Sequence, residues 1–528
     1  MTLQNYLDLQ NGTDVRGIAV DGVEGENVNL TAEAVENVCK AFCVWLISRT
    51  GKTRLSVAVG YDSRISAPAL CEAAVKGITS TGHNAIVTGL STTPSMFMLL
   101  KDETFGNGER PQGSIMITAS HLPFNRNGLK FFSAKGGLES ADVKEILTLA
   151  SSYRFSEGLI GETFERPYLD TYAASLVGKV REACGEDAPL SGKRIIVDAG
   201  NGAGGFFADK VLAPLGADTT GSLFLEPDGA FPNHIPNPEN KDAMRSVCEA
   251  VKASGADFGI IFDTDVDRAG AVDKDGSEIN RNRLIALISA ILLEEKAGTI
   301  VTDSVTSDGL AKFIAAHGGK HHRFKRGYKN VINEALRLNA EGEYAPLAIE
   351  TSGHAALMEN YFLDDGAYLI TRLLIALAKA AKEGQALSDL IADLEMPEEA
   401  LEIRLRFTDG CDFKTLGNRI LKEFAAYAEK NKYVSLAPDN REGCRVCYDT
   451  KHGDGWALLR MSLHEPILPI NVESNSVGGS FKIVKDLYYF LRKYDFLDVS
   501  KLEAHIGKTR EENLAAVRGE RAALDFLF

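Results

Sequence analysis

The chain is 528 residues long, 45% apolar and 25% charged, too long for one hydrophobic core, so three or four domains of a large globular protein are expected. Its formal net charge of -15 opposes attraction to phosphate backbones and anionic lipid, which need clustered Lys and Arg, and this argues against nucleic acid as a partner. The longest apolar stretch, Leu284 to Leu293, is about half a membrane span, and eight cysteines spread over the chain make no dense disulfide framework, so a cytoplasmic protein with reduced thiols and no membrane partner is expected.

From about Leu55, short β-like runs (LSVAVGYD, NAIVTGL, SIMITAS) alternate with longer helix-like segments, the pattern of α/β units on largely parallel sheets. Ligand groups in such sheets gather in loops beyond the carboxyl ends of strands. The first polar loop in that place is TASHLPFNRNGLK, Thr118 to Lys130. Ser120 at the strand end, with His121 beside it and Lys130 further on, reads as an exposed nucleophile with basic groups in reach. Taken alone, the segment equally suits an ordinary turn in which Ser120 caps the backbone. The Gly-x-Ser-x-Gly turn of serine hydrolases is absent around it.

After a polar break near Glu165 to Tyr168, strand-like runs return at RIIVDAGN and FGIIFDTD. The second run opens FDTDVDR, which sets Asp263, Asp265 and Asp267 on one short loop closed by Arg268. Like charges about 4 Å apart cost roughly 4 kcal/mol at an effective dielectric of 20, and a divalent cation is the natural remedy. All-oxygen ligands suit magnesium. An EF-hand is rejected, because Arg268 and Lys274 stand where its loop needs Gly and Glu; a solvated acidic turn remains the alternative.

A further break falls at Asp275 to Asn280, and the strand-like TIVTDSVT follows. Beyond the apolar PLAI comes ETSGH, in which Glu350, Ser352 and His354 offer the mixture of donors and acceptors that polyol recognition needs. After a last break near Glu395 to Glu399, LEIRLRF, CRVCYDT and GWALLRMSL read as strands of an α+β domain. There Arg460 and Ser462, just before His464, Glu465 and Pro466, form a loop able to hold phosphate. The Cys444 and Cys447 pair lies in a strand-like segment without a second pair or a nearby His, so no zinc site is expected.

In order, these segments resemble the α-D-phosphohexomutase family, which includes phosphomannomutases, phosphoglucomutases and phosphoglucosamine mutases. The phosphoserine loop corresponds to Thr118 to Pro123, the metal loop to Asp263 to Arg268, the sugar loop to Glu350 to His354 and the phosphate loop to Arg460 to Pro466. Lesser matches are DVRG at Asp14, GYDSR at Gly60, DAGNGAG at Asp198 and NHIPNPE at Asn233. The resemblance implies three α/β domains with mixed sheets around a cleft plus a C-terminal α+β domain, divided at 1–166, 167–278, 279–397 and 398–528.

It also implies that Ser120 carries a phosphoryl group and that Mg²⁺ joins it to Asp263, Asp265 and Asp267. A hexose 1-phosphate and its 6-phosphate, of mannose or glucose, would interconvert through a hexose 1,6-bisphosphate that also acts as activator. Lys130 and His354 become general acid/base candidates, with Arg16, His121 and Arg268 beside the transferred group. Glu350 and Ser352 would read sugar hydroxyls, while Arg460, Ser462 and His464 grip the other phosphate and Lys325 adds a basic contact. A monomer or homodimer acting on hexose monophosphates is expected.

Several positions depart from the family pattern: Leu122 in the serine loop, Thr264 and Val266 in place of both metal-loop glycines, and His464 in the phosphate loop. A β-branched residue tolerates fewer conformations than glycine, so altered metal geometry is expected. The tail from Lys501 reads as helical and has no assigned role. Glucosamine phosphate as substrate, a degenerate sugar-phosphate-binding protein and a phosphatase stay open as alternatives.

Overall fold

The apolar runs become strands and the amphipathic segments between them helices. The computed structural model describes residues 1–106, 110–152, 160–462 and 465–507, so His464 and the tail from residue 508 lie outside the described residues. Two compact units result: Met1–Asn280 with Ser352–Leu387, and Arg281–Thr351 with Ser388 onward.

The first unit opens with β1 (Gln10–Asn11), β2 (Asp14–Ile18), β3 (Ser56–Tyr61), β4 (Asn84–Leu90), β5 (Gly113–Ile117), β6 (Arg126–Ser133), β7 (Gly136–Gly137) and β8 (Thr163–Glu165). They form one eight-stranded sheet in the order β1-β2-β6-β5-β3-β4-β8, with β7 on β6. The sheet is mixed: β3 runs parallel to β4 and β5, whereas β6 runs antiparallel to β2 and β5. β3 and β5 read as continuous buried runs because both faces are covered. The helix Ala32–Thr50 packs on one face through Val38, Phe42 and Leu46, which are fully buried. Register matters for the site, since Arg16 on β2 lies opposite Gly128 on β6, and Lys130 on β6 opposite Met116 on β5.

A second sheet of the same unit joins β9 (Ile195–Asp198), β10 (Phe258–Phe262), β11 (Ala269–Asp273) and β12 (Glu278–Ile279), with β9 and β10 parallel and the others antiparallel. Here Phe258, Ile260, Ile261 and Phe262 are completely buried, which is why the acidic loop after them starts from a rigid edge. In the second unit β13 (Thr299–Thr302) lies parallel to β14 (Lys320–Arg323) and β15 (Leu347–Ile349). The first unit then adds the antiparallel pair β16 (Ala355–Leu357) and β17 (Leu363–Asp364).

The second unit ends in an antiparallel sheet of β18 (Glu399–Phe407), β19 (Val434–Leu436), β20 (Cys444–Tyr448), β21 (Gly455–Leu459), β22 (Ile467–Ser474) and β23 (Leu497–Asp498). Its helices Phe413–Lys430 and Gly479–Leu491 bury Ile420, Phe424, Ile483 and Leu487 with the sheet, giving the expected α+β character. Both cysteines of the Cys-x-x-Cys pair sit in β20, and both are free. Among the described residues no helix is long and apolar enough to cross a membrane.

Candidate active site

Ser120 follows β5 with φ of 50°, a left-handed backbone unusual for a residue with a Cβ. The turn is held from several sides. Thr118 Oγ1 accepts from Ser120 N at 2.8 Å, and Arg16 Nη1 donates to Ala119 O at 2.6 Å while its other nitrogens pair with Asp14. The largest contribution comes from Arg64, which is 1% exposed. Its guanidinium donates to the carbonyls of Pro123 and Arg126 at 2.8 Å, of Leu122 at 2.6 Å, and of Ser120 itself.

Asp62 stands 3.5 Å from Arg64 Nε, and burial pushes its carboxyl up to about 6 despite that positive charge. Arg64→Ala would strip a donor from four carbonyls, of which Pro123 O keeps the Arg126 N–H, and leave Asp62 buried without its charged partner, so a loss of about 3–5 kcal/mol of unfolding free energy is expected from urea denaturation. Arg64→Lys should recover only part of it, because a single ammonium has three donors and no planar fork.

The acidic loop leaves β10 and crosses to the serine turn within the same unit. Ser120 Oγ donates to Asp263 Oδ2 at 2.8 Å, and Arg268 Nη2 donates to Ser120 Oγ at 2.7 Å. Asp263, Asp265 and Asp267 are all buried, and one carboxylate oxygen of each lies within 4.8 Å of the others. Asp265 Oδ1 and Asp267 Oδ1 are buried with no hydrogen-bond partner. Two orphaned carboxylate oxygens in a buried oxygen-only cluster are what a hard divalent cation needs, so these residues fit a metal ion.

Val266 adopts φ of 65°, which costs a β-branched residue about 1–2 kcal/mol. Three backbone donors from separate segments fix the loop in that shape: Ala203 N to Thr264 O at 2.8 Å, Thr93 N to Asp265 O at 2.9 Å and Gly366 N to Val266 O at 3.1 Å. These anchors supply what the two missing glycines would have allowed. Thr93 Oγ1 also donates to Asp265 Oδ2 at 2.5 Å.

Charge in this cluster is strongly coupled. Lys130 Nζ donates to Asp265 Oδ2 at 2.7 Å and to Asp267 Oδ2 at 2.5 Å. Burial opposes the Lys130 charge, but Asp265 and Asp267 outweigh it and hold the ammonium well above the usual lysine range. Burial likewise opposes ionised Asp267, yet Lys130, His354 and Arg268 hold its carboxyl below the ordinary range, whereas burial and then Asp267 push Asp263 well above it. His121 is depressed to about 2 by burial and by Arg268 and Arg16, and its Nδ1 accepts from Arg268 Nη2 at 2.5 Å. His354, lowered to about 3 mainly by burial, has Nδ1 at 2.9 Å from Ser352 Oγ and Nε2 at 3.7 Å from Asp267 Oδ1. Burial thus disfavours the charged form of both imidazoles, whereas Asp265 and Asp267 favour the charged form of Lys130.

The structure thus brings Ser120, His121, Lys130, Arg16, Asp263, Asp265, Asp267, Arg268, Ser352 and His354 together in the first unit. Glu350, Lys325, Arg460 and Ser462 belong to the second. There Glu350 Oε1 accepts from Gly327 N at 2.6 Å, and Lys325 is exposed. Arg460 Nε is buried with no hydrogen-bond partner. Ser462 Oγ accepts from Glu465 N at 3.2 Å. Sequence reasoning missed the work of Arg64 and Thr93. GYDSR was visible as a motif, but nothing in it says that its arginine collects carbonyls of the serine turn.

Comparison with known proteins gives one consistent match. Three sequence models of one family fit successive segments: Phosphoglucomutase/phosphomannomutase, alpha/beta/alpha domain I over residues 10–157, domain II over 168–276 and domain III over 280–396. A phosphoglucomutase of Neisseria gonorrhoeae is 30% identical over 479 residues, 90% of this chain and 95% of that relative. A phosphoglucomutase/phosphomannomutase of Thermococcus kodakarensis is 31% identical over 468 residues, 88% of this chain and 93% of that one. The crystal structure of a phosphoglucomutase/phosphomannomutase family protein from Burkholderia thailandensis superposes with a TM-score of 0.76 at 27% identity, covering 93% of this chain and 98% of that one.

Proposed function

Because the chain belongs to the phosphoglucomutase/phosphomannomutase family and is a phosphohexomutase, an intramolecular phosphotransferase, we propose that it interconverts hexose 1-phosphate and hexose 6-phosphate, of mannose, glucose or both, through phospho-Ser120. One observation carries this reading: Ser120 Oγ sits between Arg268 Nη2 and Asp263 Oδ2, beside a buried carboxylate triad with orphaned oxygens. A binding-only protein and a phosphatase are not favoured, since relatives matched over nearly their whole length are mutases.

In the proposed reaction the bond from phosphorus to Ser120 Oγ breaks as a bond forms from a sugar hydroxyl oxygen to phosphorus, giving hexose 1,6-bisphosphate; the return transfer uses the other phosphate. Neutral His354 is suited to take the hydroxyl proton, and charged Lys130 to stabilise or protonate the group that leaves. Arg268 and Arg16 offset the charge on the transferring oxygens. Mg²⁺ would be held by phospho-Ser120, Asp263, Asp265 and Asp267, and when bound it supplies further positive charge for those oxygens.

Glu350 and Ser352 are assigned to the sugar hydroxyls. Arg460, Ser462, His464 and Lys325 are assigned to the phosphate that is not reacting. Domains bounded at 166, 278 and 397, a cytoplasmic location, a monomeric or dimeric state, and the absence of nucleic-acid or membrane partners complete the proposal.

The test is phosphorus NMR of the protein with Mg²⁺, a trace of hexose 1,6-bisphosphate and, in turn, glucose, mannose and glucosamine 1-phosphates. Conversion of glucose or mannose 1-phosphate to the 6-phosphate is expected. Conversion of glucosamine 1-phosphate alone would move the assignment to a phosphoglucosamine mutase, and free phosphate as the sole product would overturn the mutase chemistry.

A further inference from the structure

Of the groups that the Arg268 guanidinium contacts, Ser120, Asp263 and His121 belong to the reaction centre, where Ser120 alternates between hydroxyl and phosphomonoester. Asn237 lies outside it. Its Oδ1 accepts from Arg268 Nη1 at 3.3 Å and from the backbone N–H of Glu239 at 3.0 Å. Two donors on one atom fix the amide with its oxygen toward Arg268.

The loop that carries Asn237 is itself anchored on both sides. Before it, His234 Nε2 lies 3.0 Å from both carboxylate oxygens of Asp198, at the end of β9, and Nδ1 lies 3.1 Å from Ile235 O. Both ring nitrogens face acceptors, so both donate, which is the imidazolium form. After it, Asn280 Nδ2 donates to Pro238 O at 2.8 Å. Gly200 lets the loop settle on the end of β9, because a Cβ there would stand 2.7 Å from Pro236 Cβ and the backbone has φ of +52°.

We infer that Asn237 is a positioning residue for the phosphoryl transfer, holding the Arg268 guanidinium toward Ser120 while the charge on Ser120 changes. The Asn233 to Glu239 segment is then the mount that transmits the rigidity of the β9 edge to the site. This inference rests on the reading of Arg268 given above.

The test compares Asn237→Ser, Asn237→Asp, Arg268→Ala and the double variant Asn237→Ser/Arg268→Ala in the full chain. Serine keeps an acceptor for the Glu239 N–H but is too short to reach Arg268, whereas aspartate keeps both contacts. Asn237→Ser is expected to lower kcat about 10- to 100-fold, with KM for the hexose 1-phosphate within about 2-fold and an unchanged Tm. Asn237→Asp should retain most of the activity, and Asn237→Ser should add nothing in the Arg268→Ala background. Unchanged kcat in Asn237→Ser, an equal loss in Asn237→Asp, or losses that multiply in the double variant would overturn the positioning role. Wild-type turnover in Arg268→Ala would instead overturn the reading on which it rests.

Discussion

Ser120→Ala is expected to lose mutase turnover by on the order of 10⁴-fold or more, with the fold intact. The size follows from the role: without Oγ no phosphoenzyme forms, and binding alone cannot replace a covalent carrier. The fold survives because the serine turn is held by other groups. Arg64 and Arg16 bind the carbonyls of the turn, and Thr118 accepts from its N–H, while alanine at φ of 50° carries the same Cβ as serine and adds no new backbone strain. Asp263 keeps its contacts with the backbone N–H and Nε of Arg268 at 3.2 and 3.1 Å. Loss of phosphate incorporation from hexose 1,6-bisphosphate, read by intact mass spectrometry, together with an unchanged melting curve, would fit the carrier role. Normal turnover would show that the nucleophile lies elsewhere.

The sequence exposes the chemistry of this site more fully than its mechanics. Fully buried strands such as FGIIF read clearly because both faces of the sheet are covered, and the loops after them stand out as abrupt polar runs. Ser120 and the three aspartates are legible for that reason. What holds them is not, because it consists of side chains bonded to distant backbone. Arg64 binds carbonyls about sixty positions away, and Thr93 N–H meets Asp265 O across an even longer interval; no local period encodes such pairs.

The metal loop shows the same limit from the other side. Thr264 and Val266 read as a loss of backbone freedom, and the loop reaches a left-handed Val266 with its carboxylates gathered. External donors to three successive carbonyls replace intrinsic flexibility. Lys130, which the family resemblance makes an acid or base candidate, makes two ion pairs with aspartates that favour its charged form, and this is why the proposed reaction gives the base role to His354.

Asp265→Asn is expected to separate stability from function. Asp265 Oδ2 receives Lys130 and Thr93, while Oδ1 is buried without a partner. An asparagine that keeps its oxygen on those two donors must turn its NH₂ toward the place of the orphaned oxygen, where it would repel a cation instead of binding one. Mg²⁺ affinity should fall about 10- to 100-fold and kcat/KM about 10²- to 10³-fold, measured by calorimetric titration and by the mutase assay.

In the absence of metal the sign on stability is different. The buried carboxyl groups face chiefly Lys130 and Arg268, and removing the Asp265 charge relieves repulsion within the cluster at the cost of one ion pair, while Lys130 still pairs with Asp267. Mg²⁺ stabilises the folded state by mass action in proportion to its affinity. The wild-type Tm should therefore rise on adding Mg²⁺ and that of the variant should rise much less, while their Tm values in chelator stay close. An identical Mg²⁺ titration for the two proteins would remove this loop from metal binding, whatever the activity of the variant.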